Sequence, residues 1–318
     1  MTRSFFGFLS GPELTRKATE GDAGAQFNLG IVYYEGEAVL QDFRLAVDWF
    51  RKAAEQGHAE AQTILGFMYS KGQGVPQDFR QAVDWFRKAA EQGYASAQFN
   101  LGVMYEEGQG VSQDFRQAAD WYAQAAEQGV EDAQHKMGHM YADGQGVPQD
   151  FRQAVDWFRK AAEQGVANAQ FNLGTMYETG QGVPQDYQQA AGWYARAAEQ
   201  GVANAQYNLG VMYDEGQGVS QDFRQAADWY ARAAEQGDAR AQNNLGGMYY
   251  SGTGVPKDPV LAYAFFNLAA DGGDANAVNN RAFIAKEMTP KEIEAARALL
   301  KNWQPGKPLP KTSSAGSR

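Results

Sequence analysis

Residues 165–200 read GVANAQFNLGTMYETGQGVPQDYQQAAGWYARAAEQ, and a block of this kind recurs head to tail seven times between Gly21 and Gly272. Each copy has 36 residues and repeats an LGxMY-type, a GxGVPQD-type and an AxxWYxxAAEQ-type segment at fixed spacing. A period of this length is typical of solenoids, because one helical hairpin cannot bury its apolar face and neighbouring copies must supply the core. We therefore expect a repeat protein whose function lies on a surface shared by several copies.

The repeats divide the chain into four parts. We expect an N-terminal segment with a capping helix over 1–20, the repeat array over 21–272, a C-terminal pair of capping helices over 273–303 and a disordered tail over 304–318. The tail is rich in Pro, Lys, Ser and Gly, a composition that does not support a core. The seven copies span 21–56, 57–92, 93–128, 129–164, 165–200, 201–236 and 237–272.

Each copy predicts two helices joined by a glycine-containing loop. Counted from its opening glycine, the first helix of a copy should run from about position 3 to position 15, with its Leu and Tyr side chains on one face. A glycine follows the Leu of the first helix in six copies and Met137 in the fourth, which indicates a close helix contact that a side chain would block. Asp residues such as Asp78 and Asp186 are good N-caps for the second helix.

These segments resemble the Sel1-like repeat (SLR), a relative of the tetratricopeptide repeat. The resemblance covers all seven copies, and residue types and spacing recur together. It implies an all-α fold, specifically an α/α right-handed superhelical solenoid of 36-residue helix-turn-helix repeats whose first helices line a concave side. It also implies scaffold or adaptor function through protein binding.

Composition excludes several classes of partner and site. The chain has 318 residues, a formal net charge of -10 and no cysteine. The acidic balance argues against nucleic acid or an anionic membrane as partner, and the lack of cysteine rules out disulfides and thiolate metal sites. No segment has the apolar length that spans a bilayer, so we expect no membrane insertion. Because the N-terminal stretch lacks the features of a secretory signal, we favour a cytoplasmic over a periplasmic location.

Positions 4, 7, 8, 11, 14 and 15 vary between copies although they lie on a predicted helix, opposite its Leu and Tyr face. They carry aromatic rings, a series of Asn side chains and an excess of acidic groups, which suit the binding of an extended polypeptide. We predict a protein or peptide partner of basic or mixed polar character. The alternative is structural, with rings packed between repeats and amides that hold loops. The candidate binding residues are Phe99, Asn100, Glu106, His135, His139, Phe171, Asn172, Glu178, Tyr207, Asn208 and Asp214.

The sequence also suggests three alternatives, which are a metal site, an enzyme and a self-assembling structural protein. His135 and His139 have a spacing that can hold a divalent metal, but no HExxH pattern accompanies them, and we predict no metal site and no cofactor.

Some cysteine-rich bacterial relatives of the repeat family are described as binding or hydrolysing β-lactams. This chain has no cysteine pairs, no SxxK and no GxSxG motif, so we predict no catalytic residue and no enzymatic activity. A self-assembling structural protein is a further alternative, although capped ends favour a monomer.

Overall fold

The computed structural model describes residues 11–36, 39–301 and 303–311. Within these residues the chain is all-α, with seventeen helices and no strand. They belong to two compact units, one ending at Lys160 and the other beginning at Ala161. The predicted all-α solenoid of two-helix repeats is confirmed. Residues 1–10 of the expected capping segment and residues 312–318 of the expected tail lie outside the described residues.

Every repeat contributes one first and one second helix, each of 13 residues. The first helices are α2 Ala23–Glu35, α4 Ala59–Lys71, α6 Ala95–Glu107, α8 Glu131–Asp143, α10 Ala167–Thr179, α12 Ala203–Glu215 and α14 Ala239–Ser251. The second helices are α3 Phe43–Glu55, α5 Phe79–Glu91, α7 Phe115–Glu127, α9 Phe151–Glu163, α11 Tyr187–Glu199, α13 Phe223–Glu235 and α15 Pro259–Asp271. The flanking helices are α1 Gly11–Thr19, α16 Ala275–Ala285 and α17 Pro290–Leu300. None of the described helices combines the length and the apolarity needed to cross a membrane.

The core of the first unit forms between copies. Val47 and Phe50 of α3 pack with Leu65 and Met68 of α4, so the second helix of one copy meets the first helix of the next. The same arrangement joins α5 to α6 and α7 to α8. Because each cluster needs two consecutive copies, burial of apolar surface ties the repeats together in a row.

The second unit has the same arrangement, and two further helices follow its last repeat. Tyr194 of α11 packs with Leu209 and Met212 of α12, and the same pattern joins α13 to α14. At the C-terminal end, α16 and α17 both pack against α15 through a cluster that includes Phe266 and Ile284. The last helices therefore cover the apolar face of the final repeat.

The glycine after each Leu allows close contact between the two helices of one copy. A Cβ atom built on Gly66 would lie 2.8 Å from the ring of Phe86, and one on Gly174 would lie 2.7 Å from the ring of Tyr194. Both distances are shorter than van der Waals contact, so the ring would have to move. A glycine in a helix interior costs about 1 kcal/mol relative to alanine. The contact that it permits explains its presence, and the prediction from the sequence is confirmed.

Local signals set the helix ends. Gly72 ends α4 in the left-handed conformation, with φ of 69°, and the second loop glycine, Gly74, has φ of 72°. A side chain on Gly74 would also collide with the carbonyl oxygen of Phe43 in the preceding copy. The carboxylate of Asp78 accepts hydrogen bonds from the backbone N–H groups of residues 80 and 81, as expected for an N-cap.

Buried glutamines link each repeat to the one before it. In the first unit, Gln62 of α4 is 4% exposed, and its Nε2 donates to the carbonyl oxygen of Ala54 at 2.9 Å. Gln92, at the end of α5, donates in turn to the Oε1 of Gln62 at 2.8 Å. In the second unit, Gln206 and Gln236 make the same two bonds. These amides satisfy backbone carbonyls at the helix C-termini, where four such groups lack intrahelical partners.

The C-terminal segment packs against the last repeats. The N–H of Gly306 donates to the carbonyl oxygen of Glu235 at 2.6 Å, and Leu309 packs on the cluster that contains Tyr230. The first six copies each end in a glutamine such as Gln236, whereas the seventh copy ends in Gly272. These contacts lie within residues 304–311, part of the segment for which the sequence predicts a disordered tail.

Candidate functional site

The candidate side chains of the two units gather around tyrosines of the second helices. In the first unit, the ring of Phe99 lies 5.6 Å from the ring of Tyr122, centroid to centroid. In the second unit, Phe171 lies 5.7 Å from Tyr194 and Tyr207 lies 5.9 Å from Tyr230. The aromatic residues at position 7 are thus half-buried against a ring of their own repeat. These rings form the base of the surface and do not project from it into solvent.

Each of these tyrosines holds a carboxylate at position 14. The Tyr122 hydroxyl donates to Glu106 at 2.5 Å, and the Tyr194 hydroxyl donates to Glu178 at the same distance. The Tyr230 hydroxyl reaches the shorter Asp214 at 3.4 Å. Hydrogen bonds to charged acceptors are stronger than neutral ones, so these carboxylates are held in place.

The acid and the tyrosine occur together across the seven copies. Copies three, five and six have both, whereas the other four copies have Phe at the ring position. In those four copies, position 14 is Tyr34, Ser70, Ala142 or Tyr250. A carboxylate at this position therefore occurs only where a hydroxyl is available to bind it. This agreement supports the pairing seen in the structure.

The electrostatic surroundings keep the tyrosines protonated. Burial raises the pKa of the Tyr194 hydroxyl, and the hydrogen bond to Glu178 raises it further. Burial and Glu106 have the same effect on the pKa of Tyr122. Each hydroxyl is therefore a donor at neutral pH.

Position 8 of the following copy completes each group. Asn208 lies close enough to the Tyr194 hydroxyl to lower its pKa, and Asn244 has the same effect on the pKa of the Tyr230 hydroxyl. In the first unit this position is Lys136, whose Nζ lies 2.8 Å from Glu106 in a half-buried ion pair. An acid, a tyrosine and a polar side chain of the next copy thus converge in three places. We call each such group an acid–tyrosine site.

The remaining candidates lie outside these groups. The Asn100 amide donates to the carbonyl oxygen of Ser96 on its own helix at 2.7 Å, and Asn172 is half-buried on α10. His135 and His139 contact each other, with their Nε2 atoms 3.2 Å apart. Burial, His139 and Lys136 lower the pKa of His135 to about 4, so its ring is neutral at neutral pH. The described residues contain no group of three or more His, Asp or Glu side chains arranged to hold a metal ion.

Reasoning from the sequence missed the tyrosines. Tyr122, Tyr194 and Tyr230 lie on the apolar arc of the second helix, which the sequence assigns to the core. Their rings are indeed buried, at 0–1% exposure, while their hydroxyl groups reach the surface acids. The matched variation of positions 14 and 30 of each copy was the signal that could have identified them.

Comparison with known proteins identifies the repeat. A family model described as Sel1 repeat matches seven consecutive segments, which are 23–58, 59–94, 95–130, 131–166, 167–202, 203–238 and 239–274. Among curated proteins, no match is found.

Solved structures show the same fold. The chain is 37% identical to a Sel1 repeat protein from Oxalobacter formigenes, with 87% of this chain and 79% of that chain covered and a TM-score of 0.68. It is 30% identical to c5321, a protective antigen of uropathogenic Escherichia coli with an SLR fold, covering 94% of this chain and 96% of that chain, with a TM-score of 0.50. Since the family model matches without a gap from residue 23 to residue 274, the chain belongs to the Sel1 repeat family.

Proposed function

We propose that the first-helix surface, formed by positions 7, 8, 11, 14 and 15 of the repeats, binds an extended polypeptide partner of basic or mixed polar character. Sel1 repeat proteins are generally scaffolds for protein–protein interaction and are typically not catalysts. The observation that carries the proposal is the acid–tyrosine site, which places a fixed carboxylate beside a polar side chain of the next copy.

The chemistry of these sites suits a peptide ligand. Carboxylates bind basic side chains, and amide groups such as that of Asn208 can both donate to and accept from a backbone. The protein is strongly acidic, with a formal net charge of -10, so long-range attraction would speed the encounter with a basic partner. We propose that the binding form is a monomer, which light scattering at two concentrations tests.

A capture experiment with matched variants tests the proposal. The full chain, immobilised, is exposed to extract of its native organism, and retained proteins are then purified and titrated against it. Replacing Asn172 and Asn208 with Ala should reduce retention of the partner. Replacing Gln189 and Gln225 with Ala provides the control, because these amides are exposed on second helices. Equal retention by both variants would show that the partner binds elsewhere.

Salt dependence gives a second test. Exposed charges separated by more than about 10 Å are largely screened at about 0.1 M salt. The association rate of the purified partner should therefore fall steeply between about 0.05 and about 0.5 M salt. A rate that does not change over this range contradicts a basic partner.

A further inference from the structure

An open pocket of about 310 Å³ lies on the second unit, at the acid–tyrosine site of the sixth copy. The groups that matter for its chemistry come from α12, α14 and α16, and they are Asp214, Asn243, Asn244, Gly247, Ser251 and Asn280. Asp214 is at position 14 of the sixth copy, and the residues of α14 are at positions 7, 8, 11 and 15 of the seventh copy. Asn280 lies on α16, at the place that corresponds to position 8. The volume is roughly ten times that of a water molecule, so a planar polar side chain can enter. We call this the Asp214 pocket.

The pocket is open because the seventh copy has a glycine at position 11. A Cβ atom built on Gly247 would meet no atom within 4 Å. The other copies have side chains there, namely Ile31, Phe67, Val103, His139, Thr175 and Val211. Of the other lining residues of the seventh copy, Met248 is apolar and the rest are polar, so most of the pocket wall can form hydrogen bonds.

The lining carries one negative charge and no positive charge. Asp214 is the only charged residue that lines the pocket, within the part of the chain that the structure describes. The nearest base on α14, Arg240, is paired with Asp238 at 2.6 Å. Asn280 donates to the side-chain oxygen of Asn243 at 2.8 Å, which orients both amides. The lining therefore offers carboxylate and amide oxygens to a donor.

The first unit shows what occupies an equivalent site. There the ammonium group of Lys136 lies 2.8 and 3.0 Å from the two carboxylate oxygens of Glu106, and 6.0 Å from the centroid of the Tyr122 ring. Lys136 occupies position 8 of its copy, the position of Asn244 in the Asp214 pocket. Asn244 is shorter and neutral, and no ion pair of Asp214 is found among the described residues. The carboxylate thus keeps a net charge that a cation from outside can neutralise.

We propose that the Asp214 pocket binds the guanidinium group of an arginine side chain from the polypeptide partner. This inference rests on the proposed function and names the side chain that the partner must supply. Guanidinium carries five N–H donors in a planar array and binds a carboxylate through two parallel hydrogen bonds. Ammonium is a smaller point charge with three donors, so it uses fewer of the acceptor oxygens.

A small-molecule titration tests the pocket directly. Nα-acetyl-arginine amide is added to the full chain, and the side-chain amide signals of Asn243, Asn244 and Asn280 are followed by NMR. These signals should shift and saturate. The citrulline analogue has the same shape but no charge and should not bind, and the lysine analogue should bind more weakly than arginine. Because hydrogen bonds between charged groups are strong, Asp214→Asn should weaken arginine binding by about tenfold or more.

Two variants serve as matched controls. Asp228→Asn makes the same change on the exposed side of α13 and should leave arginine binding unchanged. Gly247→Val places in the pocket the side chain that Val103 and Val211 have at this position, and it should weaken arginine binding although no charge changes. Equal binding of citrulline, an unaltered affinity of Asp214→Asn, or no saturation at the solubility limit of the probe would overturn the inference.

The outcomes separate this inference from the proposed function. If arginine binds at Asp214 but no captured partner depends on the first-helix surface, the pocket stands and the proposed function fails. If a captured partner depends on Asn172 and Asn208 but Asp214→Asn changes neither partner nor arginine binding, the function stands and the pocket inference fails.

Discussion

At the scale of single residues, two glycines of one repeat differ in whether helix packing requires them. Gly174 of α10 faces the ring of Tyr194, and an added Cβ would lie 2.7 Å from it. Gly192 of α11 is exposed, and an added Cβ would meet no atom within 4 Å. The first glycine is required by packing, whereas the second only reduces helix stability.

Alanine at these two positions should therefore have opposite effects on stability. We expect Gly174→Ala to destabilise the protein by about 1 to 3 kcal/mol, because the Tyr194 ring must move. We expect Gly192→Ala to stabilise it by about 0.5 to 1 kcal/mol through helix propensity. Urea unfolding followed by circular dichroism measures both. A stabilised Gly174→Ala variant would contradict the close helix contact.

At the scale of helices, the buried glutamines couple neighbouring repeats. Gln206 is 5% exposed, donates to the carbonyl oxygen of Ala198 at 3.0 Å and accepts from Gln236 at 2.8 Å. One side chain thus satisfies the C-terminus of α11 and fixes the end of α13. Removal of a buried partner leaves polar groups without hydrogen bonds, which is costly in a low-dielectric interior.

Gln206→Ala should lower the free energy of unfolding by about 1 to 3 kcal/mol, since it leaves the Ala198 carbonyl and the Gln236 amide without this partner. Gln225→Ala is the control, because that side chain is exposed on α13 and its loss should change stability little. Amide hydrogen exchange gives a local measure, with faster exchange expected at the C-terminal ends of α11 and α13. Equal protection in both variants would show that the glutamine does not couple the repeats.

At the scale of the whole molecule, three acid–tyrosine sites make stability depend on pH. The pKa values of Tyr122, Tyr194 and Tyr230 are raised in the folded protein from the ordinary value of 10.0, chiefly by burial. A group whose pKa is higher in the folded state stabilises that state fully below the unfolded pKa and loses this contribution as pH rises above it. The folded protein should therefore lose stability above about pH 10.

Replacing the three tyrosines with Phe should reduce this alkaline loss. We expect the urea midpoint to fall between about pH 8 and about pH 11 in the unmodified chain, and to fall less in the triple variant. Lysine titration contributes equally to both proteins, so the difference isolates the tyrosines. An identical fall in the two proteins would contradict the raised pKa values.

The sequence by itself determined the repeat, its helices and its glycines. A 36-residue period, N-cap aspartates such as Asp78 and the glycine after each Leu are local signals, and they predict helix bounds and close contact without knowledge of distant atoms. The family resemblance added the solenoid. These features depend on backbone conformation and on neighbouring copies, both of which the period encodes.

Only the tertiary structure decided which side chains meet on the surface. Helical periodicity places Tyr194 on an apolar face, but whether its hydroxyl reaches Glu178 depends on the distance and angle between two helices. The same is true of the Asp214 pocket, which residues of α12, α14 and α16 form together, and of the contact between Gly306 and Glu235. Periodicity fixes the direction of a side chain around its own helix axis, whereas a binding site requires the relative positions of several axes.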